Sequence, residues 1–193
     1  CGAAGSEVIE TSGSVVEAIA TTVETQDPVA VIEIPEPRAL GVERVVVLVD
    51  IADPGNLGTL IRSAAALGWQ VALLGGADPW SPKVLRSAAG AHFIQTPAQV
   101  ADIAEVAARG LTMIATIVAG GRAPDDIESE TPIALLIGNE AHGLPSEMVS
   151  ACDLRMTIPM TGGTESLNAA VSGAIAMYAL ATESRDGQAT RNP

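Results

Sequence analysis

The chain has 193 residues, enough to bury one good core with at most a small appendage. Apolar residues make up 48% but aromatics only 2%, so that core is built from Ala, Val, Leu and Ile. Lys and Arg number 10 against 23 Asp and Glu, a net charge of −13, which excludes nucleic-acid affinity drawn from the charge of the whole chain. No long apolar run is bounded like a membrane span and no stretch reads as a signal peptide, so the cytoplasm is the expected compartment. Cys1 and Cys152 have neither disulfide nor metal-site spacing and read as free thiols.

The first 44 residues differ from the rest. Cys1–Ser6 is small and polar, suited to a disordered end. Ser14–Thr22 suits one short helix and Val29–Ile34 a short strand, and Pro35, Glu36, Pro37 and Arg38 then read as a linker. This is too little for a domain, and a start at Cys1 rather than Met suggests a processed or truncated product.

From Val45 a regular alternation begins. Val45–Val49, Val71–Leu74, His92–Gln95, Thr112–Val118, Ile133–Ile137 and Leu154–Ile158 are strand candidates, apolar on both faces as in a buried parallel sheet. Asn56–Leu67 carries Leu57, Leu60, Ile61, Ala64 and Leu67 at helical spacing, with Asn56 placed as its N-cap. Ser81 followed by Pro82 opens a second helix that Gly90 ends, and Thr96-Pro97 opens a third that Gly110 closes. Leu167–Ala181 is nearly charge-free but carries Asn168 and Ser172, and reads as a buried helix. The pattern predicts an α/β domain with a mostly parallel sheet and helices on both faces.

Three glycine-rich turns follow three of these strands, where open α/β sheets bind ligands. The first runs Asp50-Ile51-Ala52-Asp53-Pro54-Gly55-Asn56-Leu57-Gly58 and leads into a helix with Arg62. Gly58 lies four residues before Arg62, so an open space for a nucleotide is expected beside the guanidinium. It is neither a Rossmann fingerprint nor a P-loop. The second is Gly138-Asn139-Glu140-Ala141-His142-Gly143-Leu144-Pro145, a carboxylate between two glycines after a buried strand. The third is Ile158-Pro159-Met160-Thr161-Gly162-Gly163-Thr164-Glu165-Ser166-Leu167-Asn168. Ser166 and Asn168 enter a buried element as polar groups, and either cap the helix or face a ligand. Each turn taken alone also reads as ordinary capping with a solvated charge. His92 and His142 provide no metal set.

Taken in order, these segments resemble the three motifs of the SpoU/TrmH branch of the SPOUT RNA methyltransferases. Asn56-Leu57-Gly58-Thr59-Leu60-Ile61-Arg62 is similar to the first, Gly138 to Pro145 to the second, and Ile158-Pro159-Met160 with Ser166-Leu167-Asn168 to the third. Lys83–Phe93, with Ser87, Gly90 and Ala91, resembles the stretch before that family's third strand. The likeness covers Val45–Thr182. It implies a SPOUT fold with a deep C-terminal trefoil knot, for which Gly162, Gly163, Ala169, Ala170, Ser172, Gly173, Ala174 and Ala176 are suitably small.

The resemblance also implies chemistry: methyl transfer from S-adenosylmethionine to a ribose 2′-hydroxyl of structured RNA, rRNA ahead of tRNA, by an obligate homodimer that needs no metal and no membrane. Main-chain groups of Gly138, Ile158 and Leu167 would hold the cofactor, with Leu136, Met160 and Thr116 lining its pocket. Arg62 would clamp the neighbouring phosphate and stabilise alkoxide charge, a safer role than giving up its proton. Asn56 and Glu140 would shape the site and orient Arg62, while Ser166 and Asn168 would position the ribose and the knot loop. Residues 1–38 are similar to the end of a substrate-binding domain plus linker, residues 39–193 form the catalytic domain, and the last ~10 residues read as disordered. Arg62, Lys83, Arg86, His92, Arg109 and Arg122 supply the expected basic groove on an acidic chain. Two other readings stand beside this one: a catalytically silent, knotted RNA-binding dimer, and a flavodoxin-like enzyme holding a phosphate at the Asp53–Asn56 turn. Cofactor binding separates the first, and the third turn is left unexplained by the second.

Overall fold

The computed structural model describes residues 8–20, 29–129, 131–162 and 166–189, with side chains of the last helix described to residue 181. The chain divides into two units, Cys1–Ile34 and Pro35–Pro193. In the first, α1 (Gly13–Ile19) is a short helix with no buried residue. Its expected continuation to Thr22 lies outside the described residues. The strand expected at Val29–Ile34 does not form: the segment has no ladder partner among the described residues, and Val31 and Ile34 stay exposed. Cys1 also lies outside the described residues.

The second unit is an α/β domain. Its elements are β1 (Val45–Val49), α2 (Pro54–Leu67), β2 (Gln70–Leu74), α3 (Pro82–Ala88), α4 (Ala91–Ile94), β3 (Ala98–Gln99), α5 (Ile103–Ala107), β4 (Thr112–Thr116), β5 (Ile133–Ile137), α6 (Ser146–Ala151), β6 (Leu154–Met156) and α7 (Ala169–Ala189). The strands form one sheet in the order β3-β2-β1-β5-β4-β6, and every pairing is parallel. The chain leaves β1 toward β2 and β3 on one side, then builds β4, β5 and β6 on the other. The carboxyl ends of β1 and β5 therefore flank the switch point, where such sheets bind ligands.

Strand alternation divides the core between the two faces. Val46, Leu48, Leu135 and Ile137 face Leu57, Leu60, Ile61 and Ala64 of α2 and Met177 and Leu180 of α7. Val45, Val47, Val49 and Leu136 pack with Leu40, Val106 and Met113 on the opposite side. Buried aliphatic side chains of this kind stabilise by about 1.5–3 kcal/mol each. Trp69 is fully buried, and its indole N–H donates to the Met177 carbonyl at 3.1 Å, tying the end of α2 to α7. Gly173 lets α7 lie directly on its neighbours, since a Cβ there would collide with Leu60 and Ile137.

Four sequence expectations need correction. His92–Gln95 is not a strand: Ala89 and Gly90 both take positive φ, 47° and 85°, and reverse the chain into the helical turn α4. The third strand moves to Ala98–Gln99, so Thr96-Pro97 opens a strand rather than a helix. The next helix starts later because Asp102 is its cap, accepting from the Ala104 and Glu105 N–H groups at 2.8 and 3.2 Å. Asn56 is not the cap of α2 either, since Asp53 accepts from the Asn56 N–H at 2.9 Å and Pro54 follows it into the helix. α7 spans Ala169–Ala189, so it starts two residues later and ends eight residues later than the expected Leu167–Ala181.

Past β4 and β6 the chain makes a close crossing. Ile117 donates its N–H to Met156, Arg122 donates to Arg155, and Thr157 donates back to Arg122, each at 2.9 Å. The Thr157 hydroxyl accepts from the Gly121 N–H at 2.9 Å and donates to the Ile117 carbonyl at 3.1 Å. Gly121 has no room for a Cβ against Met156 and Thr157. Residues 155–157 are thus bonded to both limbs of the 117–122 loop.

Candidate active site

The three glycine-rich turns converge at the carboxyl edge of the sheet, and Glu140 joins them. Its carboxylate accepts from the Ala52 N–H at 3.1 Å, the Asp53 N–H at 3.1 Å and the Asn56 side-chain amide at 3.0 Å. The Asn56 amide oxygen in turn accepts from the Asn168 amide at 2.9 Å. The Asn168 oxygen accepts from the Ala170 and Val171 N–H groups at 2.9 and 3.2 Å, capping α7. One chain of hydrogen bonds therefore connects residues more than a hundred positions apart. Burial pushes the Glu140 carboxyl up, but the bonds from Asn56 and the backbone outweigh it and hold it below the ordinary carboxylate range.

The second turn is shaped by its glycines. Gly138 packs against Gly143 and Leu144 so closely that a Cβ would strike their backbone, and Gly143 takes φ 68°. Beside this turn lies a cavity of about 380 Å³, lined by Gly138 to Gly143, by Thr116 at the end of β4 with Ile117 and Val118 beyond it, and by Ile158, Met160, Ser166, Leu167 and Ser172. Its volume and its mixed apolar and polar lining suit a small ligand.

The structure therefore places Gly138, Ile158, Leu167, Met160, Thr116, Glu140 and Ser166 around one cavity. Leu136 is elsewhere: its side chain is buried on the far face of the sheet, and it meets the site only through its carbonyl, which accepts the Thr116 hydroxyl at 2.8 Å. Strand alternation accounts for this, because Leu136 and Ile137 point to opposite faces. Ile137 lines the cavity instead.

Arg62 is exposed on α2 and makes no hydrogen bond or ion pair among the described residues. Glu140 therefore orients Asn56 and not Arg62. The expected space beside Gly58 is filled: a Cβ there would strike Ser87 and lie 2.6 Å from the Val84 carbonyl oxygen, so this glycine lets α3 pack on α2. That contact brings Lys83 to Asp53, 3.4 Å apart. His92 cannot join a basic groove, since it is fully buried, with burial lowering its pKa. Gly163 lies outside the described residues. Among these residues no group of His, Cys, Asp and Glu could hold a metal, and no helix is long and apolar enough to cross a membrane. Cys152 is half-buried, its thiol pushed up to about 11 by burial and by Asp153.

Sequence reading missed Asn139, whose side chain bonds to Asp50, Ala141 and His142. Its position between the two singled-out residues Gly138 and Glu140 was the only signal.

A parallel α/β sheet with a cavity at the carboxyl ends of β4, β5 and β6, beside turns braced by polar residues, defines a ligand-binding protein of the open-sheet class. The model of the SpoU rRNA Methylase family matches residues 43–178, and the chain belongs to that family. It is 34% identical over 172 residues to the 23S rRNA (guanosine(2553)-2′-O)-methyltransferase RlmP of Bacillus subtilis (strain 168), covering 85% of this chain and 69% of that protein. The crystal structure of the SpoU methyltransferase AviRb from Streptomyces viridochromogenes, in complex with the cofactor AdoMet, superposes with a TM-score of 0.70 at 30% identity, covering 79% of this chain and 63% of that one. The AdoMet-bound rRNA methyltransferase from Sinorhizobium meliloti superposes at 0.68 with 34% identity, covering 73% and 56%. The chain thus spans between about half and two thirds of these relatives.

Proposed function

We propose that this chain transfers a methyl group from S-adenosylmethionine to the 2′-hydroxyl of a ribose in rRNA. The observation that carries this reading is the convergence of the three turns: Glu140 lines the cavity and, through Asn56, reaches Asn168 at the start of α7. RlmP and the two AdoMet-bound relatives support the cofactor and favour rRNA over tRNA.

The residues fit the cofactor. Gly138 keeps side chains out of the turn, leaving a cradle of backbone, while Ile158, Met160 and Leu167 offer apolar surface and Thr116 and Ser166 polar groups. When bound, S-adenosylmethionine supplies an activated methyl group on its sulfonium. The chain supplies orientation and charge. Gly138, Ile158 and Leu167 hold the cofactor, with Met160 and Thr116 beside them. Asn56, Glu140 and Asn168 keep the three turns in register, and Ser166 with Asn168 positions the ribose. Among the described residues the Arg62 guanidinium has no partner, and in this reading it grips the RNA phosphate and stabilises the charge that develops on the 2′-oxygen.

The active form in this reading is a homodimer in the cytoplasm, with chain threading at the 117–122 crossing. Leu167, Val171, Ile175 and Tyr178 expose an apolar stripe at helical spacing along and just before α7, which a second copy would cover. Residues 1–38 are read as the end of a substrate-binding domain and its linker, and residues 39–193 as the catalytic domain. RNA affinity in this reading comes from that further domain and from Arg62 on α2 together with Lys83 and Arg86 on α3, which packs against α2. Mass mapping of rRNA 2′-O-methylation in cells with and without the gene tests the activity. One methylated nucleotide should disappear without the gene, and an unchanged map contradicts the proposal.

A further inference from the structure

Asn139 bonds the second turn in several directions at once. Its side-chain oxygen accepts from the Ala141 N–H at 2.8 Å and the His142 N–H at 3.2 Å. Its side-chain amide donates to the Asp50 carbonyl at 2.8 Å. Its own carbonyl accepts from the Gly143 N–H at 2.8 Å. Gly138 through Gly143 line the cavity in an unbroken run, so these bonds fix the shape of one cavity wall.

The far end of this clamp is strained. Asp50 has φ 50°, one of two non-glycine residues with positive φ among those described. Its N–H is held by the Leu74 carbonyl at 3.0 Å, and its own carbonyl faces Asn139. An L residue in this region persists where its surroundings over-determine it, and such residues cluster at ligand clamps. The strain sits at the end of β1, on the switch point beside the cavity.

We propose that Asn139 is a positioning residue for the cofactor, coupling the cavity wall to the strained end of β1. This rests on the reading that S-adenosylmethionine binds this cavity. An amide is needed because it both accepts and donates; a carboxylate can only accept, and would face the Asp50 carbonyl with like charge.

Calorimetric titration with S-adenosylhomocysteine tests this on the wild type, Asn139→Asp, Asn139→Ala and Asp50→Val. The wild type binds. Asn139→Asp, which keeps the bonds within the turn, weakens binding about 10-fold, and Asn139→Ala about 100-fold. Asp50→Val weakens it about 10-fold without touching the turn, because a β-branched residue resists positive φ. Binding stoichiometry stays at the wild-type value in all three. A purely structural role would instead lower the stoichiometry and leave Kd unchanged, and that result overturns the proposal. So does wild-type Kd in the Asn139 variants. A wild type that fails to bind removes the cofactor reading itself, and the inference with it.

Discussion

Glu140 and Arg62 carry opposite charges on elements that meet at Asn56, and the fold uses them in opposite ways. The Glu140 carboxylate is engaged by the Ala52 and Asp53 N–H groups and by the Asn56 amide. Arg62 is exposed and bonded to nothing among the described residues. A charge absorbed by its own protein is a brace; an exposed charge left without a partner is available to a substrate. The acidic composition sharpens the contrast: the chain carries 23 Asp and Glu, yet among the described residues no carboxylate partners the Arg62 guanidinium.

The comparison predicts that losing the open charge hurts turnover far more than folding. In a form of the protein that methylates RNA, Arg62→Ala lowers turnover by about 100- to 1000-fold, as removal of one preorganised donor does. Its cofactor affinity and melting temperature stay near wild type. Arg62→Lys recovers only part of the rate, because it lacks the planar fork that grips a phosphate. Methyl transfer by Arg62→Ala at the wild-type rate, or loss of the cofactor, breaks the contrast.

Next in size is a packing test of the helix that carries both Asn56 and Arg62. Gly58→Val drives a side chain into Ser87 and the Val84 carbonyl and separates α2 from α3. The expected cost is about 2–3 kcal/mol of stability, read from denaturant midpoints. A neutral result would mean that Gly58 leaves space for a ligand after all.

Glu140 should then behave as the brace. Glu140→Ala leaves two backbone donors and the Asn56 amide without their acceptor, and partial exposure limits the cost to about 1–2 kcal/mol. Its pKa is lowered in the fold, so its contribution is complete at neutral pH and is lost only as pH falls through the depressed folded value. Melting temperatures of the wild type and Glu140→Ala should converge in acid and diverge above the carboxylate range.

The smallest effect comes from His92, which is buried beside Trp80, with burial lowering its pKa against a weaker opposing interaction with the Pro79 backbone. Its folded pKa lies below the ordinary value, so the unfolded chain takes a proton first. Stability therefore falls as pH drops through ~6.5 and levels off below the folded pKa. His92→Leu should flatten that slope in a pH series of unfolding curves, and an unchanged slope assigns it to another group.

The same two regions mark where sequence reading reached and where it stopped. The strands at Val45, Val71 and Ile133 were legible because runs of Val, Ile and Leu of that length have few other uses; those at Thr112 and Leu154 start where expected but end two residues early, at Thr116 and Met156, where the chain enters the crossing. The third strand was not legible, because Ala98–Gln99 is too short to carry a period. Glu140, Asn56 and Asn168 were legible as polar residues at strand-to-helix turns. What Glu140 binds was not, since the Ala52 and Asp53 N–H groups leave no mark in side-chain identity. Gly58 misled for a related reason: a glycine gives the same letter whether it leaves space for a ligand or for a helix.

The central claim is that the cavity between the second and third turns holds the cofactor while Arg62 stands outside it. Calorimetric titration of S-adenosylhomocysteine into the wild type, Arg62→Ala and Gly138→Val tests this most directly. A Cβ at Gly138 would strike Gly143 and Leu144, so Gly138→Val should lose binding. The wild type and Arg62→Ala should bind alike, and saturating ligand should raise their melting temperature by mass action. No heat and no thermal shift for the wild type at millimolar ligand, or wild-type affinity in Gly138→Val, would contradict the account.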